Sequence, residues 1–318
     1  MVRGFPCFGK MAGHHVTVWN DHTKDVEVLA DRLKDAEALV LIRERTPVPG
    51  ALIERLPNLR LITQNGPYPH VDVAACTRRG VVMCAGRART SYATAELTWG
   101  LIICAMRRLP QEIARLKSGG WQHTVGTCLR GRTLGLFGYG RIGTQVAGYA
   151  KAFGMRLLVW SRARGLSAAR VDGHEAAAGK SALFEEADVL SVHVRLTPET
   201  RGIITAADLA LMKPTAVFVN TSREGLVERG ALVNALREGR PSFAAVDVYE
   251  EEPIPNGAHP LLAMENAICT PHLGYVERDQ LESYFDAQFE RILAFAQQRP
   301  VDVVNPEALI GHNSISSV

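Results

Sequence analysis

The chain has 318 residues, of which 47% are hydrophobic and 22% are charged, as in ordinary globular proteins. This length predicts two domains rather than one hydrophobic core. The net charge of +3, from 36 basic and 33 acidic residues, gives no reason to expect a nucleic-acid partner.

The cysteine pattern and the N-terminus point to a cytoplasmic protein. The six cysteines form no C-x-x-C pair and no zinc-type group with histidine, so we expect reduced thiols and no metal. We expect no signal peptide, and the longest apolar stretch, around residues 97–106, is too short to span a bilayer. The first twelve residues show no periodicity and are interpreted as a loose tail.

Strands and helices alternate along the first third of the chain, which predicts a parallel sheet covered on both faces. The apolar patterns predict strands at 15–19, 38–42, 60–63 and 81–84, and helices at 26–33, 52–56 and 71–79. Two further helices are predicted at 92–108 and 111–117, separated by Pro110.

The alternation restarts at residue 134. Strands are predicted at 134–137, 156–160, 189–194, 217–219, 244–248 and 267–270, and helices at 141–153, 180–186, 206–212, 231–237 and 281–296. The fold class is therefore α/β, with two Rossmann-like or flavodoxin-like parallel-sheet domains and an active-site cleft between them. Residues 1–98 with 290–318 are predicted to form the substrate domain, and 99–289 the dinucleotide-binding domain.

A glycine motif between a predicted strand and a predicted helix indicates a dinucleotide site. In G-Y-G-R-I-G, Gly138 permits the tight turn, Gly140 lets the backbone approach a pyrophosphate, and Gly143 lets the helix pack on the strand. Arg141 and Ile142 begin the helix, whose N-terminus attracts phosphate.

The end of the next strand bears on the choice of cofactor. Ser161 stands where NAD-binding proteins usually carry an acidic residue, and Arg162 and Arg164 follow it. A guanidinium can pair with a 2′-phosphate, so the sequence favours NADP(H), with NAD(H) still possible. The alternative, that both arginines are solvated loop residues, stays open.

Three motifs follow predicted strands, and the carboxyl ends of parallel strands are where α/β proteins bind ligands. These motifs are N-T-S-R-E-G at 220–225, D-V-Y-E-E-E-P at 247–253 and T-P-H-L-G at 270–274. Together with the glycine motif, they make the chain resemble the D-isomer-specific 2-hydroxyacid dehydrogenases from about residue 15 to 306.

The resemblance implies a catalytic set of three residues. Arg223 would bind the substrate carboxylate and carbonyl oxygen, and His272 would be the general acid in reduction and the base in oxidation. Glu252 would pair with His272 and favour the imidazolium form. Asp247 would contact the nicotinamide end of the cofactor, with Thr221 and Gly274 lining the same site.

The sequence also departs from the family pattern. Glu224 stands where the family usually has glycine, and H-V-R-L-T at 193–197 replaces H-x-P-L-T. We interpret His193 as supporting the cofactor, and Glu250 and Glu251 as solvated.

The substrate loop departs further, because Pro67 has no N–H to offer to a carboxylate. Asn65, Gly66 and Tyr68 are the remaining substrate-binding candidates in this loop. Either Gly66 alone supplies a donor, or the carboxylate lies against Tyr68.

We therefore expect an NAD(P)-dependent 2-oxoacid reductase of the glyoxylate or hydroxypyruvate type, and a homodimer with its interface at helix 92–108. The apolar residues of that helix could equally pack within the chain. Two alternatives remain: a phosphite-type dehydrogenase and a dinucleotide-sensing, corepressor-like binding protein. Formate dehydrogenases carry glutamine where Glu252 stands, which argues against them.

Overall fold

The computed structural model describes residues 2–86 and 92–310, which divide into two compact units. One unit comprises Met1–Thr90 and Arg278–Val318, and the other comprises Ser91–Glu277. The boundary predicted after residue 98 falls inside the helix Tyr92–Arg107, which lies in the second unit. The boundary predicted after residue 289 falls inside the helix Arg278–Ala296, which lies in the first unit. Residues 1, 87–91 and 311–318, which the sequence assigned to the substrate domain, lie outside the described residues.

The first unit is built on a three-stranded parallel sheet in the order β1-β2-β3. Helix α1 begins where the Asp25 carboxylate accepts the N–H of Glu27 at 2.8 Å, and it buries Leu29 and Ala30. The elements are α1 (Val26–Leu33), β1 (Ala38–Val40), α2 (Gly50–Ile53), β2 (Leu61–Asn65), α3 (Val73–Arg78) and β3 (Val82–Gly86).

Residues 15–19 do not form the predicted strand. They pair with no strand among the described residues, and most of their side chains are exposed. An alternating apolar pattern does not produce a strand where no neighbouring strand pairs with the backbone N–H and C=O groups.

The second unit contains a seven-stranded parallel sheet in the order β10-β9-β8-β7-β4-β5-β6. The strands are β4 (Thr133–Phe137), β5 (Arg156–Trp160), β6 (Glu175–Ala176), β7 (Val189–Val192), β8 (Val217–Asn220), β9 (Phe243–Val246) and β10 (Ala267–Cys269). The helices are α4 (Tyr92–Arg107), α5 (Leu109–Lys117), α6 (Arg141–Ala152), α7 (Ala163–Val171), α8 (Lys180–Glu186), α9 (Ala206–Leu211) and α10 (Ala231–Arg237).

This is the doubly wound Rossmann order, in which the strand order reverses between β4 and β7. The loops that follow these two strands therefore meet at the position where such sheets bind ligands.

The apolar residues of α4 pack within the second unit, against α6, β8 and β9. Intrachain packing, the alternative reading of this helix, therefore accounts for its composition. Helix α5 has no buried residue.

The chain returns to the first unit through the long helix α11 (Arg278–Ala296). The N-terminal residues dock on it through a short 3₁₀ helix, Pro6–Met11. The Cys7 N–H donates to Glu282 at 2.7 Å, and the Phe5 and Phe285 rings lie 6.1 Å apart. The interpretation of this segment as a loose tail is therefore wrong, because the partner that orders it lies near the other end of the chain.

Candidate active site

The glycine motif forms the tight turn between β4 and α6. Gly138 has a φ of 104°, and a Cβ added there would lie 2.6 Å from the carbonyl oxygen of His193. A Cβ on Gly143 would lie 2.7 Å from the carbonyl oxygen of Gly138, so the helix approaches the turn closely. A Cβ on Gly140, by contrast, would contact nothing within 4 Å.

The N-terminus of α6 is compatible with a dinucleotide phosphate. Gly140 is its N-cap residue and provides no side chain to occupy the first N–H groups of the helix. The Arg141 side chain is exposed, whereas Ile142 packs against the core. The first N–H groups of the helix have no side-chain cap, and there is space beside Gly140. Both features suit the binding of a pyrophosphate.

Ser161 connects the glycine turn to α7. Its hydroxyl accepts the N–H of Tyr139 at 3.2 Å, and it lies against Gly165, where an added Cβ would be 2.2 Å from the Ser161 Oγ. Arg162 is the N-cap residue of α7 and Arg164 lies in its first turn, both exposed. The arginines thus flank a helix start that the sequence analysis did not predict.

His193 lies beneath the glycine turn. Its Nε2 is 2.9 Å from the Ser191 hydroxyl, and burial lowers the pKa of the ring to about 4. His193 is therefore neutral at physiological pH, and its backbone N–H donates at 2.8 Å to the carbonyl of Phe137, the residue before the turn.

His272 and Glu252 form a close pair in the second unit. Nδ1 of His272 lies 2.5 Å from Glu252 Oε2, and Glu252 Oε1 accepts the N–H of Tyr249 at 2.9 Å. Burial alone would raise the pKa of Glu252, but the hydrogen bond to His272, the Tyr249 N–H and the nearby charge of Arg223 lower it. Glu252 is therefore an ionised partner that fixes the orientation of the imidazole.

Arg223 is held by the loop that follows β8. The Asn220 amide donates to the backbone carbonyl of Arg223 at 3.0 Å and accepts the N–H of Ser222, also at 3.0 Å. Thr221 is buried, and its hydroxyl is 2.7 Å from that of Thr98 on α4. The sequence analysis did not single out Asn220, although it stands in the same motif.

Asp247 is fully buried and holds the loop that carries His272. Oδ1 accepts the Thr270 hydroxyl at 2.6 Å and the Leu273 N–H at 2.7 Å, and Oδ2 accepts the Gly274 N–H at 2.8 Å. Burial raises the pKa of this carboxyl, opposed by these three hydrogen bonds. Asp247 therefore fixes the loop that carries His272, and its predicted contact with the nicotinamide stays a prediction.

The substrate-loop candidates lie in the first unit. Asn65 is buried, and its amide donates to the Tyr284 carbonyl and accepts from Arg291. Gly66, at a φ of 93°, already donates its N–H to the Gly86 carbonyl at 2.8 Å, so it does not offer that group to a ligand. Tyr68 is partly buried against the core of this unit.

Sequence reasoning missed Arg43, which lies beside this loop. A Cβ on Gly66 would be 3.6 Å from the Arg43 Nη1. The Arg43 backbone has a φ of 56°, and its N–H donates to the Tyr284 hydroxyl at 3.0 Å. A charged side chain therefore lies beside Gly66, the residue before Pro67.

The sequence profile described as "D-isomer specific 2-hydroxyacid dehydrogenase, NAD binding domain" matches residues 99–274. A glyoxylate reductase from Aeropyrum pernix is 38% identical over 93% of this chain and 91% of its own length. A glyoxylate reductase from Thermococcus litoralis is 33% identical over 93% and 92%. The chain belongs to the D-isomer-specific 2-hydroxyacid dehydrogenase family.

Solved structures of this family have the same fold. A phosphoglycerate oxidoreductase from Vibrio cholerae is 48% identical, with a TM-score of 0.90 and coverage of 93% of this chain and 96% of the other. The protein is thus an oxidoreductase with a domain for a nicotinamide dinucleotide. Within residues 2–86 and 92–310, no helix is long and apolar enough to cross a membrane.

Proposed function

We propose that this dehydrogenase reduces a small 2-oxo acid to the D-2-hydroxy acid, with Arg223, Glu252 and His272 as its catalytic residues. The 2.5 Å contact between His272 Nδ1 and Glu252 Oε2 is the observation that carries the proposal. A nicotinamide dinucleotide held at the glycine turn supplies the hydride.

His272 donates the proton that the reduced carbonyl oxygen requires. Because Nδ1 is occupied by Glu252, Nε2 is the ring nitrogen left to face a substrate. The ionised Glu252 stabilises the charged imidazolium before the proton is transferred. In the reverse reaction the neutral ring accepts the proton.

One arginine binds the anionic groups of the substrate in this proposal. Arg223 binds the carbonyl oxygen and the adjacent carboxylate through its planar guanidinium.

We propose NADP(H) as the preferred cofactor. Ser161 brings no negative charge to the end of β5, and Arg162 and Arg164 both expose guanidinium groups there. These features support binding of a 2′-phosphate, and they do not prevent binding of NAD(H).

We also propose a homodimer, with its interface at α5 and the segment that follows it rather than at α4. This surface exposes Ile113 (53%), Leu116 (59%), Trp121 (71%) and Val125 (95%). Such a group of large apolar side chains is more typical of an interface than of a solvated surface.

A substrate panel tests the activity. The absorbance of NADPH and of NADH would be followed with glyoxylate, hydroxypyruvate, pyruvate and a bulkier 2-oxo acid. We expect rapid loss of NADPH with at least one of the small acids. No loss with any pair, despite measurable NADPH binding, would favour phosphite oxidation or a dinucleotide-sensing role.

A further inference from the structure

A tyrosine inside the glycine motif connects the glycine turn to helix α7. Tyr139 is buried and belongs to the same core cluster as Ala169, the buried residue of α7. Its hydroxyl donates to the Asp172 carboxylate at 2.7 Å, and its ring lies 5.8 Å from that of His174. Asp172 is the C-cap residue of α7, so this hydrogen bond ties the end of the helix to the glycine turn.

The backbone of Tyr139 contacts the other end of the same helix. Its N–H donates to the hydroxyl of Ser161, the residue before the N-cap residue Arg162, at 3.2 Å. Its carbonyl oxygen faces Gly165 in the first turn of α7, where an added Cβ would lie 3.1 Å from that oxygen. Both ends of α7 are therefore in contact with one residue of the glycine turn.

Helix α7 buries little apolar surface of its own. Of its nine residues, all of which the structure describes, Ala169 alone is buried, and Leu166 packs partly buried against the same core cluster. A carboxylate at the C-terminus of a helix is unfavourable, because this end carries a partial negative charge. The Tyr139 hydroxyl offsets this cost at Asp172 by donating a hydrogen bond to the carboxylate. The position of α7 therefore depends on this bond more than that of a helix with a full apolar face would.

We propose that Tyr139 is a positioning residue, which sets the selectivity between NADPH and NADH by holding α7 in place. The proposal rests on the NADP(H) preference proposed above, in which Arg162 and Arg164 at the start of α7 bind the 2′-phosphate. A guanidinium binds a phosphate most strongly when it is already held in the required place, and a fixed helix start provides this. The 2′-hydroxyl of NADH carries no charge, so the affinity for NADH depends less on where the arginines lie.

Tyr139→Phe tests the proposal, because it deletes the hydroxyl and keeps the buried ring. We expect the dissociation constant of NADPH to rise about five- to tenfold and that of NADH by less than about twofold, measured by fluorescence titration without substrate. Asp172→Ala should have the same effect, and the two changes together should weaken binding no more than either alone. Asp172→Asn should bind both cofactors as the wild type does, because its amide oxygen still accepts the Tyr139 hydroxyl.

Tyr149→Phe is the matched control, at a partly buried tyrosine of α6 that packs against the same core cluster. It should leave both dissociation constants unchanged. An equal change for NADPH and NADH in Tyr139→Phe would indicate a purely structural role and would overturn the proposal. An Asp172→Asn variant as impaired as Asp172→Ala would also overturn it.

Hydrogen exchange separates this inference from the proposed cofactor preference, because it needs no cofactor. In the free protein, we expect the backbone amides of α7 to exchange about tenfold faster in Tyr139→Phe than in the wild type or Tyr149→Phe. Unchanged exchange would refute the anchoring of α7, whichever cofactor the protein prefers.

A variant without the two arginines, Arg162→Ala with Arg164→Ala, completes the comparison. If exchange rose in Tyr139→Phe but removal of the arginines left the ratio of the two dissociation constants unaltered, the anchoring would hold and the proposed NADP(H) preference would fail. If removal of the arginines altered the ratio and Tyr139→Phe did not, the positioning role of Tyr139 would be overturned.

Discussion

The backbone of His272 is in the left-handed region, with a φ of 53°, which is unfavourable for a residue with a side chain. The conformation persists because the surrounding loop is bonded to Asp247 on both sides of the histidine. In this conformation the His272 ring contacts Glu252. The unfavourable backbone conformation therefore positions the proposed proton donor.

Replacement of His272 by alanine should abolish most of the activity. Without the imidazole no group donates the proton, and we expect kcat to fall by roughly 10²–10⁴-fold while NADPH affinity is unchanged. Steady-state kinetics and fluorescence titration of the cofactor would measure the two effects. His14→Ala, at an exposed histidine, is the control, and near-normal turnover of His272→Ala would refute the role.

The residues at the end of β5 should set the cofactor preference. The double change Ser161→Asp with Arg162→Ala introduces a carboxylate for a ribose hydroxyl and removes a phosphate partner. We expect the ratio of kcat/KM for NADPH to that for NADH to fall by about ten- to hundredfold. Arg170→Ala, at the other end of the same helix, should leave the ratio unchanged. An unaltered ratio in the double variant would mean that these residues do not distinguish a 2′-phosphate from a 2′-hydroxyl on the cofactor.

At the scale of elements, the site depends on the way in which Asp247 joins the loop after β10 to the end of β9. Asp247→Asn would turn an amide donor toward backbone N–H groups that need an acceptor. We expect a loss of about 1–3 kcal/mol in the free energy of unfolding and a lower kcat. Denaturant titration beside Asp35→Asn, an exposed control, would measure it. Equal midpoints for the two variants would show that these hydrogen bonds contribute nothing.

Sequence patterns predicted the elements whose buried residues form an apolar run or a spaced motif in the sequence. The β4 strand, the glycine turn and α6 follow from an apolar run and a spaced glycine motif, and the structure has all three. Helix α7 could not be recognised in this way, because only Ala169 is buried and Gly165 has a low helix propensity. The docked N-terminal segment could not be predicted either, since its partners on α11 are about 275 residues away.

In the candidate site too, some features could be predicted from sequence motifs and others could not. Motifs identified the His272–Glu252 pair, whose members stand at recognisable positions. The Asp247 network and the engaged Gly66 N–H depend on how turns fold back on each other. Such contacts are set by tertiary structure, and no spacing in the sequence encodes them.

At the scale of the whole molecule, the exposed apolar surface of α5 and its following segment predicts the oligomeric state. The double change Trp121→Ser with Val125→Ser should convert a dimer to a monomer, because it removes the two most exposed apolar side chains of that surface. Light scattering coupled to size-exclusion chromatography would give the mass. Val171→Ser, at a side chain that is 87% exposed, is the control. A wild-type monomer, or a double variant that stays dimeric, would contradict the proposed interface.

The central claim, hydride transfer from a nicotinamide to a 2-oxo acid, is tested most directly by following the hydrogen itself. Hydroxypyruvate would be reduced with NADPH deuterated at C4 of the nicotinamide, and the product analysed by mass spectrometry and chiral chromatography. We predict D-glycerate with one deuterium at C2, formed by His272→Ala roughly 10²–10⁴-fold more slowly than by the wild type. Product with hydrogen from solvent at C2, product of the L configuration, or no product with this acid or with any other small 2-oxo acid would contradict it.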